Sequence, residues 1–167
     1  MDLINACRDD IDKVKQLLDR GISPNFQHED GGTALMCASI YGNTEIVELL
    51  LTTGESHPEY KDNDGYTALL FASRIGCEKI VELLLNTGQS LPEYRDNYDW
   101  TALMHASIFG HTKIVELLLN SGQSCPEYKD NDGQTALDIA REKGYTEIVK
   151  LIEDYRPIDA KFAGKRK

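Results

Sequence analysis

Apolar residues along this chain come in short clusters, separated by polar stretches rich in Gly, Asp, Asn and Pro. One cluster reads Ala68, Leu69, Leu70, Phe71, Ala72, and the next reads Ile80, Val81, Leu83, Leu84, Leu85. Within the clusters apolar positions fall three and four apart rather than on alternate residues, which is helical spacing. Thr67 precedes the first cluster, and its hydroxyl can accept a hydrogen bond from an unpaired N–H of the first helical turn. Gly76 follows it, where the chain needs a positive φ to leave the helix and glycine has no Cβ to clash. Gly88 ends the second cluster. The stretch from Gln89 to Asp99, with Pro92, Asp96 and Asn97, carries turn chemistry. The pattern predicts a first helix from Thr67 to about Ile75, a second through Leu85, and a loop to the next pair.

The unit recurs. Thr-Ala-Leu begins at Thr33, Thr67, Thr101 and Thr135, with 34 residues between successive copies. Ala38, Ala72, Ala106 and Ala140 keep the same register, as do Gly42, Gly76, Gly110 and Gly144. Ile-Val pairs follow at Ile46, Ile80, Ile114 and Ile148. One helix pair cannot bury its apolar face alone, so a fixed period of this length implies stacked units sharing a continuous core. Each buried Leu or Ile contributes roughly 1.5–3 kcal/mol, and chain ordering opposes this with a total of similar size. Several units must therefore be in contact.

These residues resemble the ankyrin repeat. The segments Asp62-Asn63-Asp64-Gly65-Tyr66-Thr67-Ala68-Leu69 and Gly110-His111-Thr112-Lys113-Ile114-Val115-Glu116-Leu117-Leu118 match the family pattern of turn, Thr-Pro-Leu-His and Gly-His-x-x-Val-Val-x-x-Leu-Leu. The resemblance implies an all-α solenoid of stacked helix-turn-helix units joined by hairpin-like β-turn loops. It also departs from the family in three ways. The family Pro is Ala at 34, 68, 102 and 136. The family His, which the resemblance gives a bond between repeats, is Met36, Leu70, Met104 and Asp138, so apolar packing is expected in its place in three units. The turn Gly is Asp99 in the fourth unit, where the fingertip is expected to differ in shape. Three loops with Pro-Glu-Tyr (Tyr60, Tyr94, Tyr128) carry one residue more than the first loop, which lengthens the period from the family's usual 33 to 34.

The expected organisation is a repeat domain over 1–155, with units near 1–27, 28–61, 62–95, 96–129 and 130–155, followed by a basic tail, 156–167. The first and last units are polar, as capping units must be. The tail ends in Lys165, Arg166 and Lys167, read as a solvated terminus.

Composition narrows the functional classes. Acidic residues number 28 and basic residues 18, a net charge of −10. Such a surface repels phosphate backbones, so nucleic acid is not an expected partner, and basic protein surfaces are favoured. No apolar run is long enough to span a membrane, and the N-terminal stretch MDLINACRDDIDKVKQ lacks a secretory pattern. A monomer in the cytosol or nucleus is expected. Cys7, Cys37, Cys77 and Cys125 stand apart, without metal spacing, and read as small apolar filler. The histidines, His28, His57, His105 and His111, show no ligand spacing either. His105 is placed on the packing side of its helix, and His111 on a bond to loop backbone. The Asp-Asn-Asp-Gly turns at 62 and 130 superficially suggest a calcium loop, but the twelfth position lacks Glu. No metal, cofactor or enzymatic activity is expected.

Family resemblance places partner contacts on the loop fingertips and the exposed side of the first helices, which form a concave face. The residues there are Ile40, Tyr41, Tyr66, Arg74, Ile75, Tyr98, Trp100, Ile108 and Phe109. Trp, Tyr and Arg are enriched at binding hot spots. Tyr41, Ile75 and Phe109 are expected on this exposed strip, although their place is often half buried between neighbouring units, and packing there is the competing reading. Trp100 and Tyr66 fall on loops, where burial is less expected. The function implied is a protein-binding scaffold or adaptor acting through units two to four; the alternative is a stoichiometric inhibitor, as some five-repeat kinase inhibitors of the family are.

Overall fold

The computed structural model describes residues 3–156, so the basic tail beyond Arg156 lies outside the described residues. Ten helices follow one another: α1 (Leu3–Ala6), α2 (Ile11–Asp19), α3 (Ala34–Ile40), α4 (Thr44–Thr52), α5 (Ala68–Ile75), α6 (Glu78–Asn86), α7 (Ala102–Ile108), α8 (Thr112–Asn120), α9 (Ala136–Lys143) and α10 (Thr146–Asp154). The odd-numbered helices stack on one another in one layer, the even-numbered helices in a second, and each pair packs together across the layers. The described residues contain no β-strand; one isolated bridge joins Arg95 and Thr101. This is an all-α repeat solenoid.

Local sequence explains the helix limits. Thr33, Thr67, Thr101 and Thr135 each cap a first helix, the hydroxyl accepting from the N–H three residues on. In the last unit Asp138 accepts in return from the Thr135 backbone N–H, completing a capping box. That bond and the Thr135 hydroxyl hold its carboxyl below the ordinary range.

The core is one continuous column of Ala, Leu, Ile and Val running from Leu3 to Ile152. Ile80, Val81 and Leu84 of α6, and Ile114, Val115 and Leu118 of α8, are fully enclosed. Met36, Leu70 and Met104 are buried too, so apolar packing does replace the polar residue of the family pattern. His111 donates from Nε2 to the Arg74 carbonyl of the preceding unit at 3.2 Å.

A second ladder runs along the fingertips. Asp62, Asp96 and Asp130 each fold a turn by accepting, through Oδ1, two backbone N–H groups, those two and four residues ahead. Each fingertip is tied to the one before it. Asn63 N donates to Asp30 O at 2.9 Å, Asn97 N to Asp64 O at 3.0 Å, and Asn131 N to Tyr98 O at 3.3 Å. The side chains repeat this: Asn63 Nδ2 to Glu29 O at 3.1 Å, Asn97 Nδ2 to Asn63 O at 3.0 Å, and Asn131 Nδ2 to Asn97 O at 3.5 Å.

The last rung is long for a visible reason. Gly65 has φ +82°, and a Cβ there would sit 2.9 Å from Asn97 Oδ1. Asp99 takes the same place in the fourth fingertip at φ 61° and carries that Cβ against the fifth. It is held by an ion pair to Arg95, Oδ1 to Nη1 at 3.1 Å. The difference at the fourth fingertip is thus a longer bond to the fifth, 3.3 Å against 2.9 and 3.0 Å at the other rungs.

The Pro-Glu-Tyr loops also pack side by side. Lys61 Nζ lies 4.8 Å from the ring centre of Tyr94, and the Arg95 guanidinium lies 5.2 Å from that of Tyr128. Each cation covers the tyrosine of the following unit, so their recurrence serves the stack.

Two stability changes follow. Leu84→Ala should cost about 2–5 kcal/mol in urea unfolding; a loss below 1 kcal/mol would contradict a close-packed column at α6. Asp99→Gly should stabilise the protein by up to about 1 kcal/mol, because it removes a side chain from the left-handed region. A destabilised Asp99→Gly protein would show that the Arg95 pair outweighs the backbone cost.

Candidate functional site

The fingertips of units three to five and the ends of α5 and α7 enclose a recess of about 460 Å³. Tyr66, Arg74, Tyr98, Trp100, Ile108 and Phe109 all line it. Ile40 lies instead at a smaller recess near α1 and α3, beside Cys37 and Phe71. Tyr41 stands under the guanidinium of Arg8, 4.8 Å from its ring centre, and Ile75 is exposed outside either recess. The strip proposed from sequence is therefore not uniform, and its aromatic residues other than Tyr41 converge on the recess at the fourth unit.

Exposure departs from expectation at the two loop aromatics only. Tyr41, Ile75 and Phe109 are about half exposed (49, 48 and 50%), whereas Tyr66 and Trp100, on loops, are partly buried against the core. The reason is the neighbouring residue His105. Its ring lies 5.4 Å from Tyr66 and 5.2 Å from Trp100, tilted against both. Tyr66 also stacks on Phe71 at 4.7 Å. The two loop aromatics fold back over the end of α5 and α7 to cover this ring cluster.

Beneath them lies a buried acid–base pair. His105 Nε2 is 2.9 Å from Asp96 Oδ2, with the two side chains 6% and 0% exposed. The other Asp96 oxygen accepts from the Tyr98 and Trp100 amides at 2.9 and 3.0 Å. Burial acts to raise the pKa of this carboxyl, but the bonds from His105 and the two amides outweigh it and hold the acid below its ordinary range. The equivalent Asp62 has Phe71 where Asp96 has His105, and there burial prevails and raises the acid. At Asp130 the counterpart is Ile139, and Asp130 Oδ2 is buried with no hydrogen-bond partner among the described residues. Burial, then the nearby Asp96 charge, raise the Tyr66 phenol.

Asp96, His105, Asn131 and Asp132 also line the recess. Sequence inspection assigned Asp96 and Asn131 to turn formation and His105 to packing. The signal that distinguishes His105 is its column: Cys37, Phe71 and Ile139 occupy the same place in the other units. No group of three or more His, Cys, Asp or Glu with metal-binding geometry occurs among the described residues. Among them, too, no helix is long and apolar enough to cross a membrane. The recess has apolar walls, a few convergent polar groups and an open mouth.

Because the folded Asp96 carboxyl is more acidic than the unfolded one, its bonds contribute stability above an unfolded pKa of about 4. That contribution disappears as the pH falls through the lower folded value. Asp96→Asn should therefore cost about 1–3 kcal/mol at neutral pH, with the difference from the parent protein shrinking below about pH 4. Urea titrations at several pH values check this, and a pH-independent difference would contradict it.

Comparison with known families agrees with the architecture. The family model described as ankyrin repeats (3 copies) matches residues 3–96 and 89–161, nearly the whole length. Repeats of this family are protein–protein interaction modules. With its capped helix pairs, fingertip turns and 34-residue register, the chain belongs to the ankyrin-repeat family.

Proposed function

We propose that this protein is a non-enzymatic adaptor that holds a partner protein on the fingertip and first-helix face of units two to four, centred on the recess around Trp100. The observation that carries this reading is the convergence there of Tyr66, Tyr98, Trp100, Phe109 and Arg74. Phe109 stacks on His111 with 6.1 Å between ring centres, yet both it and Tyr98 are exposed, at 50 and 65%. Exposed aromatics grouped around a concavity are the composition of an interaction hot spot.

The opposite layer contrasts with it. Glu48, Glu82 and Lys150 are exposed, and Lys79–Glu82 and Lys113–Glu116 form ion pairs along helix surfaces. That surface has the charge pattern of a solvated face. The adaptor is expected to act as a monomer in the cytosol or nucleus, without nucleic acid.

Phe109→Ala and Tyr98→Ala should each weaken capture of the partner about tenfold, a loss of ~1–2 kcal/mol, without lowering the melting temperature. Glu82→Ala on the opposite layer should leave capture unchanged. Quantitative affinity capture with the four proteins side by side reads this out. Normal capture by both aromatic variants would remove the recess from the interface. An inhibitor would be recognised by loss of the captured partner's own activity, and an adaptor by its persistence.

A further inference from the structure

The recess combines aromatic faces with hydrogen-bond acceptors. His105 forms part of its lining and is 4% exposed. Its Nε2 faces Asp96 Oδ2 at 2.9 Å. A carboxylate only accepts, so Nε2 carries a proton, and in the neutral ring Nδ1 is left an acceptor. That Nδ1 is buried and has no hydrogen-bond partner among the described residues. Asp132, exposed, adds a carboxylate to the lining. One cation is already present: the Arg74 guanidinium carbon lies 6.0 Å from the Tyr66 ring centre, so an aromatic face of this site already accepts a guanidinium from within the chain. Around the site, the whole chain carries 28 acids against 18 bases.

We propose that the recess receives the arginine side chain of an extended basic segment of the partner, an inference that rests on the interface reading above. A guanidinium is planar, weakly hydrated and offers five N–H donors in a fixed fork. Trp100 supplies the ring type on which such a cation stacks best. Donors not used in stacking meet the exposed Asp132 carboxylate in the lining. The apolar stem of the arginine lies along Ile108 and Phe109. A lysine fits less well, because its compact ammonium is strongly hydrated and needs acceptors in three directions. An acidic segment would find one favourable cation, Arg74, against Asp132 and the −10 charge of the chain. Arg74 opposes an incoming arginine by like charge, but it is exposed and free to turn toward solvent.

Trp100 is the single tryptophan, so its emission reports the recess directly. The test titrates the full chain with blocked pentapeptides in which arginine, lysine, citrulline or glutamate stands between glycine pairs. The arginine peptide should give a saturable change, the lysine peptide should bind at least about threefold more weakly, and citrulline and glutamate should give none. Asp132→Asn should weaken the arginine peptide about threefold, and Arg74→Gln should strengthen it about twofold. Both side chains are exposed, and unchanged melting confirms the fold of each variant. Saturation by the glutamate peptide, abolished in Arg74→Gln, overturns the proposal in favour of an anion site. Lysine binding as tightly as arginine overturns the guanidinium assignment. If no peptide saturates while Phe109→Ala still loses partner capture, the arginine assignment fails and the interface stands. If Phe109→Ala also captures normally, the interface fails with it.

Discussion

A helix pair in this chain has nowhere to bury its apolar face except against its neighbours. The pairs are seven to nine residues per helix in the inner units, too short to be stable alone in water. Their Ile, Val and Leu side chains are enclosed only because the next unit covers them. Stability is therefore a sum over neighbouring contacts, and residues facing neither neighbour are released from packing. Such positions include Tyr98 and Phe109, exposed at the rim of the recess, while its floor is made of the packed Tyr66, Trp100 and His105.

The fourth unit shows how small departures from the repeat create a site. In the neighbouring units a turn Asp faces Phe71 or Ile139; here Asp96 faces His105, and the pair is fully buried. The ring of His105 supports Tyr66 on one side and Trp100 on the other. Asp99 replaces the glycine of the other fingertips and lengthens the bond between the fourth and the fifth. One substitution organises the floor, the other reshapes the fingertip, and the column beneath stays enclosed.

Much of this was legible in sequence because it repeats. Thr caps, Gly stops and the Ile-Val-x-Leu-Leu spacing (Leu-Ile in the last copy) are local devices, and agreement in register across four copies identifies them. The convergence of Tyr66, Trp100 and Phe109 was partly legible, since all three fall on the loop and helix-end positions that vary from unit to unit. What escaped was pairwise. Nothing in the order of residues says that His105 reaches Asp96, nine positions earlier, or that loop aromatics fold inward while helix-end aromatics stay out. Those outcomes depend on side-chain directions set by the turn, and spacing alone does not encode them. The separation of Ile40, Tyr41 and Ile75 from the recess escaped for the same reason: one face of a solenoid is continuous in sequence register but divided by the shape of each unit.

The central claim is that the partner sits at the fourth-unit recess and not elsewhere on the array. Hydrogen–deuterium exchange of the protein alone and in complex with its captured partner tests this most directly. The claim predicts added protection over the fingertips at 96–100 and 130–134 and over the end of α7, with exchange in α4 and α6 unchanged. Protection confined to α4, α6 and α8 would place the partner on the opposite layer and contradict it.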